Sequence, residues 1–102
     1  MLTRLKSAAP RAKFLVMTYY NWLAAADPAS DRQVLGLDAA IVAAAHSAGM
    51  GTVDTFGAFN RTGNERARVC ALTLFCGPTK DLHPTNAGYR LIASLFEKAY
   101  QH

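Results

Sequence analysis

The stretch Lys13-Phe14-Leu15-Val16-Met17-Thr18-Tyr19 constrains this chain more than any other. It is nearly continuously apolar, with no polar alternation. A strand with one wet face alternates; a strand that does not alternate expects cover on both faces, as in a parallel sheet flanked by helices. The surrounding chain has 102 residues, room for one domain. It is 51% hydrophobic and 18% charged, with mean hydropathy +0.04, which excludes a disordered or low-complexity protein. No apolar run approaches the roughly 18 residues that a membrane helix needs. Met1 to Ser7 contain no apolar core of a signal peptide, so no leader is expected there. Eleven basic residues against 7 acidic give a net charge of +4. These charges are scattered, and no binding motif accompanies them, so a nucleic-acid partner is not expected.

The neighbouring elements follow from caps and periodicity. Residues 2–9 predict a short helix, with Leu2 and Leu5 on one face and Pro10 past its end. Tyr20 to Ala29 reads as a loop. Ser30-Asp31-Arg32-Gln33 has the form of a capping box with Ser30 at the N-cap. The helix it opens should run to about Ser47 and stop at a left-handed Gly49. Its predicted stripe is Val34, Leu37, Ile41, Ala45 and Ala48. Gly51 to Phe56 reads as a second strand, and Asn60 to Arg68 as a polar loop. Residues 69–75 fit either a short strand or an ordered loop. A last helix is expected from Asn86 to Tyr100, capped by Thr85, with Leu91, Ile92, Leu95, Phe96 and Ala99 as its apolar face.

Strands alternating with helices argue for parallel βαβ units and an α/β layer fold. Two or three parallel strands cannot bury both faces and both edges. Residues 1–102 therefore read as a single partial domain, expected to self-associate or to need a missing N-terminal half.

The densest chemical signal is Asp81-Leu82-His83-Pro84. On an extended segment, Asp81 and His83 point to the same side, so the carboxylate can orient the imidazole. Pro84 biases His83 towards an extended backbone. An imidazole with an ordinary pKa of about 6.5 suits a general base near neutrality. The plainer reading is a structural histidine at a helix entry. Cys70 and Cys76 lie six residues apart. If bonded, they close a ring worth about 2 kcal/mol and imply an oxidising compartment; the missing leader points the other way.

The block His83-Pro84-Thr85-Asn86-Ala87-Gly88-Tyr89-Arg90-Leu91-Ile92-Ala93 strongly resembles the last conserved block of the SGNH (GDSL) hydrolases. That block reads Asp-x-x-His-Pro, then Asn or Thr, two variable residues, Gly, and Tyr or His. Leu15 to Tyr20 and the Val53-Asp54 strand end fall where the family's later core strands would lie. The cysteine pair before the His block resembles secreted actinobacterial-type members. The resemblance covers essentially the whole chain, and its specificity lies in residues 81–93.

The resemblance implies an incomplete flavodoxin-like α/β/α sandwich and a carboxylic-ester hydrolase, an esterase or lipase acting on an acyl ester or lipid. Serine attacks the acyl carbon, His accepts its proton and Asp orients the His. By position, His83 matches the base, and Gly88 and Tyr89 match helix-packing positions. The family's Asp sits three residues before the His, where this chain has Lys80. Either Asp81 orients His83 from the nearer place or a backbone carbonyl does so. The Gly-Asp-Ser nucleophile block and both oxyanion blocks are missing, so the chain alone is expected to be inactive. Its serines are Ser7, Ser30, Ser47 and Ser94, none in a nucleophile context.

Asp54, at a strand end, is expected to cap the following turn. Asp38 falls within the apolar stripe, as a hydrogen-bonded residue at a helix margin or a partner for a polar group elsewhere. Tyr19, Tyr20 and Trp22 either line an acyl pocket or cap the core. Cys70, Cys76, His46 and His83 lack zinc spacing, no phosphate loop exists, and neither metal nor cofactor is expected. The alternative to a hydrolase is a small non-catalytic α/β module whose strand edges bind a partner chain.

Overall fold

Strand β1 (Leu15–Met17) pairs in parallel with β2 (Gly51–Val53), Leu15 opposite Gly51 and Met17 opposite Val53. The connection between them is the 17-residue helix α2 (Asp31–Ser47). The computed structural model describes residues 2–61 and 63–101. Before β1 lies α1 (Leu2–Ala8). After β1 come two 3-10 turns, Trp22–Ala25 and Pro28–Ser30. After β2 come α3 (Thr55–Asn60), α4 (Glu65–Leu72) and α5 (Asn86–Tyr100). The chain is thus mixed helix and sheet. No described helix is long and apolar enough to cross a membrane.

Consecutive strand residues point to opposite faces, and the packing obeys that rule. Val16 packs with Phe14 and Leu2 against Ala45, Ala48 and Met50 on the α2 side. Met17 packs on the other side, with Leu91 and Ile92 of α5, against Tyr20, Phe59 and Leu72. Phe59 is fully buried and stacks on Tyr20 at 4.5 Å between ring centres. Helices therefore cover both faces of β1, as its apolar run requires. All three β1 residues nevertheless remain half-buried, because only one of the strand's edges has a strand neighbour among the described residues.

Several boundaries differ from expectation, each for a local reason. The apolar run 13–19 yields only three ladder residues, since after Thr18 N the backbone turns to side chains, Thr18 O to the Thr55 hydroxyl and Tyr19 N to Asp38. The second strand ends at Val53, where Asp54 accepts from Gly57 N at 2.8 Å and starts α3. Residues 65–72 form a helix within and beyond the expected loop, because Asn64 caps it through Ala67 N at 3.2 Å. Ser30 makes no capping bond. The 3-10 turn before α2 already gives Ser30 helical backbone angles, and its hydroxyl donates to Asp27 O at 2.7 Å. On α2, Leu37 is exposed and Asp38 is buried beside Ala45. Gly49 closes the helix at φ +72°, as expected.

Thr85 caps α5 through Gly88 N at 3.2 Å. A Cβ on Gly88 would lie 2.1 Å from Leu72 O and 2.8 Å from Pro84 Cβ, so α5 crosses α4 at a distance only glycine permits. Tyr89, the next residue, stays 53% exposed and does no packing of that kind. Gly88→Ala is expected to cost about 1–3 kcal/mol, an overpacking penalty against backbone. Gly36, mid-α2 with nothing within 4 Å, should gain roughly 0.5–1 kcal/mol as Gly36→Ala. Thermal melts of the two variants check the opposite signs.

The radius of gyration is 14.7 Å, against about 13 Å for an ordinary domain of this length. The accessible surface is 6579 Å², roughly 1,000 Å² above that of a globular 11 kDa protein. A standard interface covers about 800 Å² per partner. The purified chain is expected to self-associate or melt without a sharp transition. Light scattering showing a monodisperse 11 kDa monomer with a cooperative melt would contradict this.

Candidate functional site

The segment carrying His83 has no regular structure of its own, so its position depends on what holds its backbone. Leu74 N donates to His83 O at 2.9 Å, and Thr85 N donates to Leu72 O at 2.9 Å. Thr73 and Pro84 form an antiparallel bridge between these bonds. The Thr85 hydroxyl also donates to Ala71 O at 2.9 Å. From the core, the Tyr20 hydroxyl donates to Leu82 O at 3.0 Å. Residues 82–85 are thus pinned to the end of α4 and to the Tyr20–Phe59 stack.

On this support Asp81 and His83 meet. Asp81 Oδ1 lies 2.5 Å from His83 Nδ1 and accepts from His83 N at 2.9 Å. The pair is open to solvent, the imidazole 65% exposed. The backbone N–H of His83 is the strongest influence on the Asp81 carboxyl; with the His83 ring it holds the carboxyl below the ordinary value. Lys80, three residues before His83, has a left-handed backbone at φ 53°. It reaches over the Phe75 ring at 5.9 Å rather than to His83.

None of the serines bonds to His83. Ser7 and Ser47 are exposed on α1 and α2. Ser30 is buried between Asp27 O and Asn21 Nδ2, and Ser94 bonds to Leu91 O at 2.8 Å. Cys70 and Cys76 are bonded, their Cα atoms 5.2 Å apart. Among the described residues no three His, Cys, Asp or Glu side chains cluster as a metal site.

Tyr19, Tyr20, Trp22, Val34 and Leu37 line a groove of about 220 Å³ beside the end of β1. Tyr20 packs in the core against Phe59 and also lines this groove. None of residues 81–85 lines it. Leu74, Leu82 and Tyr89, around His83 in sequence and bonding, are all exposed. A larger open cleft, about 610 Å³, lies elsewhere, between α2 and the strand ends, and includes Asp38, His46, Asp54 and Arg61. Its size does not make it the site, since His83 and Asp81 are not in it.

Asp38 accepts from Tyr19 N at 2.8 Å through Oδ1, while Oδ2 is buried with no partner among the described residues. Burial, aided by the Asp54 charge, pushes its pKa up against the lowering effect of the Tyr19 N–H. The residues that sequence reading missed are Tyr20 as the anchor of Leu82 and the Asn21–Asn60 pair behind it. Asn21 N donates to Asn60 Oδ1 at 2.8 Å and Asn60 Nδ2 returns a bond to Asn21 O at 2.9 Å. No local spacing signals contacts across 62 and 39 residues.

Comparison with models of known families, with curated proteins and with solved structures finds no match to this chain.

A depressed carboxyl pKa adds stability that is present above the unfolded-state value and lost as pH falls through the lower folded value. Carbon NMR of the Asp81 carboxyl should therefore give a midpoint below the ordinary aspartate range. His83→Ala keeps the backbone N–H and should retain part of the depression. His83→Pro removes it and should bring the midpoint back up. Full recovery in the alanine variant would transfer the leading effect to the ring.

Proposed function

We propose that this chain is the His-bearing part of an SGNH-type carboxylic-ester hydrolase, within a flavodoxin-like α/β/α arrangement. The serine and the oxyanion donors come from another stretch of polypeptide. The observation that carries this reading is the Asp81–His83 contact, on an exposed loop seated by four hydrogen bonds from outside it. A proton on Nδ1, facing Asp81, leaves the lone pair on Nε2. Nε2 is then the atom that takes a serine proton as Oγ bonds the acyl carbon. The same proton returns to the leaving alkoxide, and a water molecule repeats the cycle to free the acid. Asp81 stabilises the imidazolium formed in between. The groove of Tyr19, Trp22, Val34 and Leu37 supplies apolar contact for an acyl chain.

One observation favours the second reading, a non-catalytic module that binds a partner chain. Both outer edges of the two-stranded sheet lack a strand neighbour among the described residues, and Tyr19 and Leu37 are exposed beside one of them.

The isolated chain should show negligible turnover of p-nitrophenyl acetate, since the nucleophile and oxyanion donors supply orders of magnitude in rate. Joined to the N-terminal part of an SGNH hydrolase bearing Gly-Asp-Ser, it should hydrolyse p-nitrophenyl butyrate. His83→Ala and Asp81→Asn should then each lower kcat roughly 100- to 10,000-fold. A folded fusion without His83-dependent turnover would favour the binding module.

A further inference from the structure

The bonds that seat residues 83–85 share one origin. Ala71 O, Leu72 O, Thr73 and Leu74 N hold them, and all four residues lie between Cys70 and Cys76. The disulfide therefore closes a small ring around the very groups on which His83 rests. Besides these, the Tyr20–Leu82 bond and the first turn of α5, through Gly88 N and Tyr89 N to Thr85, reach the segment from outside that ring. Cys76 is exposed and lines a cleft of about 180 Å³ with Arg66, Lys80, Phe75, Ala25 and Ala26. Among the described residues neither Arg66 nor Lys80 has an ion-pair partner. The cleft thus offers two cations beside an accessible sulfur.

We propose that the Cys70–Cys76 disulfide is a latch on the seat of His83, opened by an anionic thiol that docks in the Arg66–Lys80 cleft. The cations attract a carboxylate-bearing thiolate and stabilise charge developing on sulfur. The incoming thiolate bonds Cys76 Sγ as the Cys70–Cys76 bond breaks. The electron pair leaves on Cys70 Sγ, which takes a proton from water. A second thiolate attacks the sulfur of the docked thiol in the mixed disulfide and releases Cys76, which is protonated in turn. The protein gains two electrons and two protons, and two thiols become one small-molecule disulfide. With the ring open, the loop 71–76 loses the covalent constraint that holds its groups in line with residues 83–85. The consequence for ester hydrolysis rests on the reading of His83 as the base; the latch itself does not.

The test therefore reads the seat directly. Amide exchange is measured on the oxidised chain, on the chain reduced with glutathione, and on the Cys70→Ser/Cys76→Ser variant. The Leu74 and Thr85 amides should exchange at least tenfold faster in the two open forms, with α2 and the strands unchanged. The Asp81 carboxyl midpoint should rise in the same two forms. Equal exchange in all three forms overturns the latch, and so does loss of protection throughout the molecule, which makes the bond a general staple. Reduction rates at equal thiolate concentration distinguish the cleft. Arg66→Gln/Lys80→Gln should slow glutathione several-fold and leave uncharged 2-mercaptoethanol unchanged. An equal effect on both thiols, or none on either, overturns the docking of an anionic thiol. None of these readouts depends on ester turnover.

Discussion

Everything in this molecule is arranged around the four residues that follow β1. Thr18 to Asn21 leave the sheet carrying backbone donors and acceptors that must find partners in a dry interior. Side chains provide them. Thr18 N still bonds to Val53 O at 2.9 Å, while its hydroxyl accepts from Thr55 N at 3.1 Å and the Thr55 hydroxyl bonds to Thr18 O. Tyr19 N goes to Asp38 and Asn21 N to Asn60. One short segment thereby fixes α2 through Asp38, α3 through Thr55 and Asn60, and the His83 loop through the Tyr20 hydroxyl. An unmade bond here costs about 1–3 kcal/mol for each buried group, which is why the side chains are held so closely.

The same segment connects packing to chemistry. Asn21 extends the network to Ser30 and Asp31 at the start of α2, and Asn60 extends it to Glu65 at the start of α4. α4 ends in the cysteine-bounded ring whose backbone seats residues 83–85. His83 thus sits at the end of a continuous chain of bonded groups that begins at the strand. The pair it makes with Asp81 is local and exposed, but its place in space is not local. Placement of this sort gives a solvent-facing imidazole a fixed direction without burying it.

The surplus of exposed surface belongs to the same picture. Leu37, Tyr19, Leu74, Leu82 and Tyr89 are all exposed, and β1 is half-buried although its sequence asks for full cover. An apolar strand with an open edge among the described residues is a surface on which a further chain could pair. In the proposed hydrolase that chain brings the serine.

By itself the sequence determined the elements whose signals lie within a few residues. The βαβ order, the left-handed stop at Gly49, the Thr85 cap and the turn-capping role of Asp54 all follow from neighbours one to four positions away. Asp81 and His83 lie two residues apart and were legible as a pair; the contact itself is made through a turn in which Asp81 also accepts from His83 N. Tertiary structure decided the rest. It took the helix start away from Ser30, since a preceding turn ran into the helix. It exposed Leu37 and buried Asp38, because Tyr19 N needed an acceptor more than the core needed a leucine. It also closed the Cys70–Cys76 ring and bonded it to residues 83–85, leaving Lys80 outside the Asp81–His83 pair. The long-range bonds among those outcomes join groups from 9 to 62 residues apart, and no periodicity or spacing within a strand or helix carries that information.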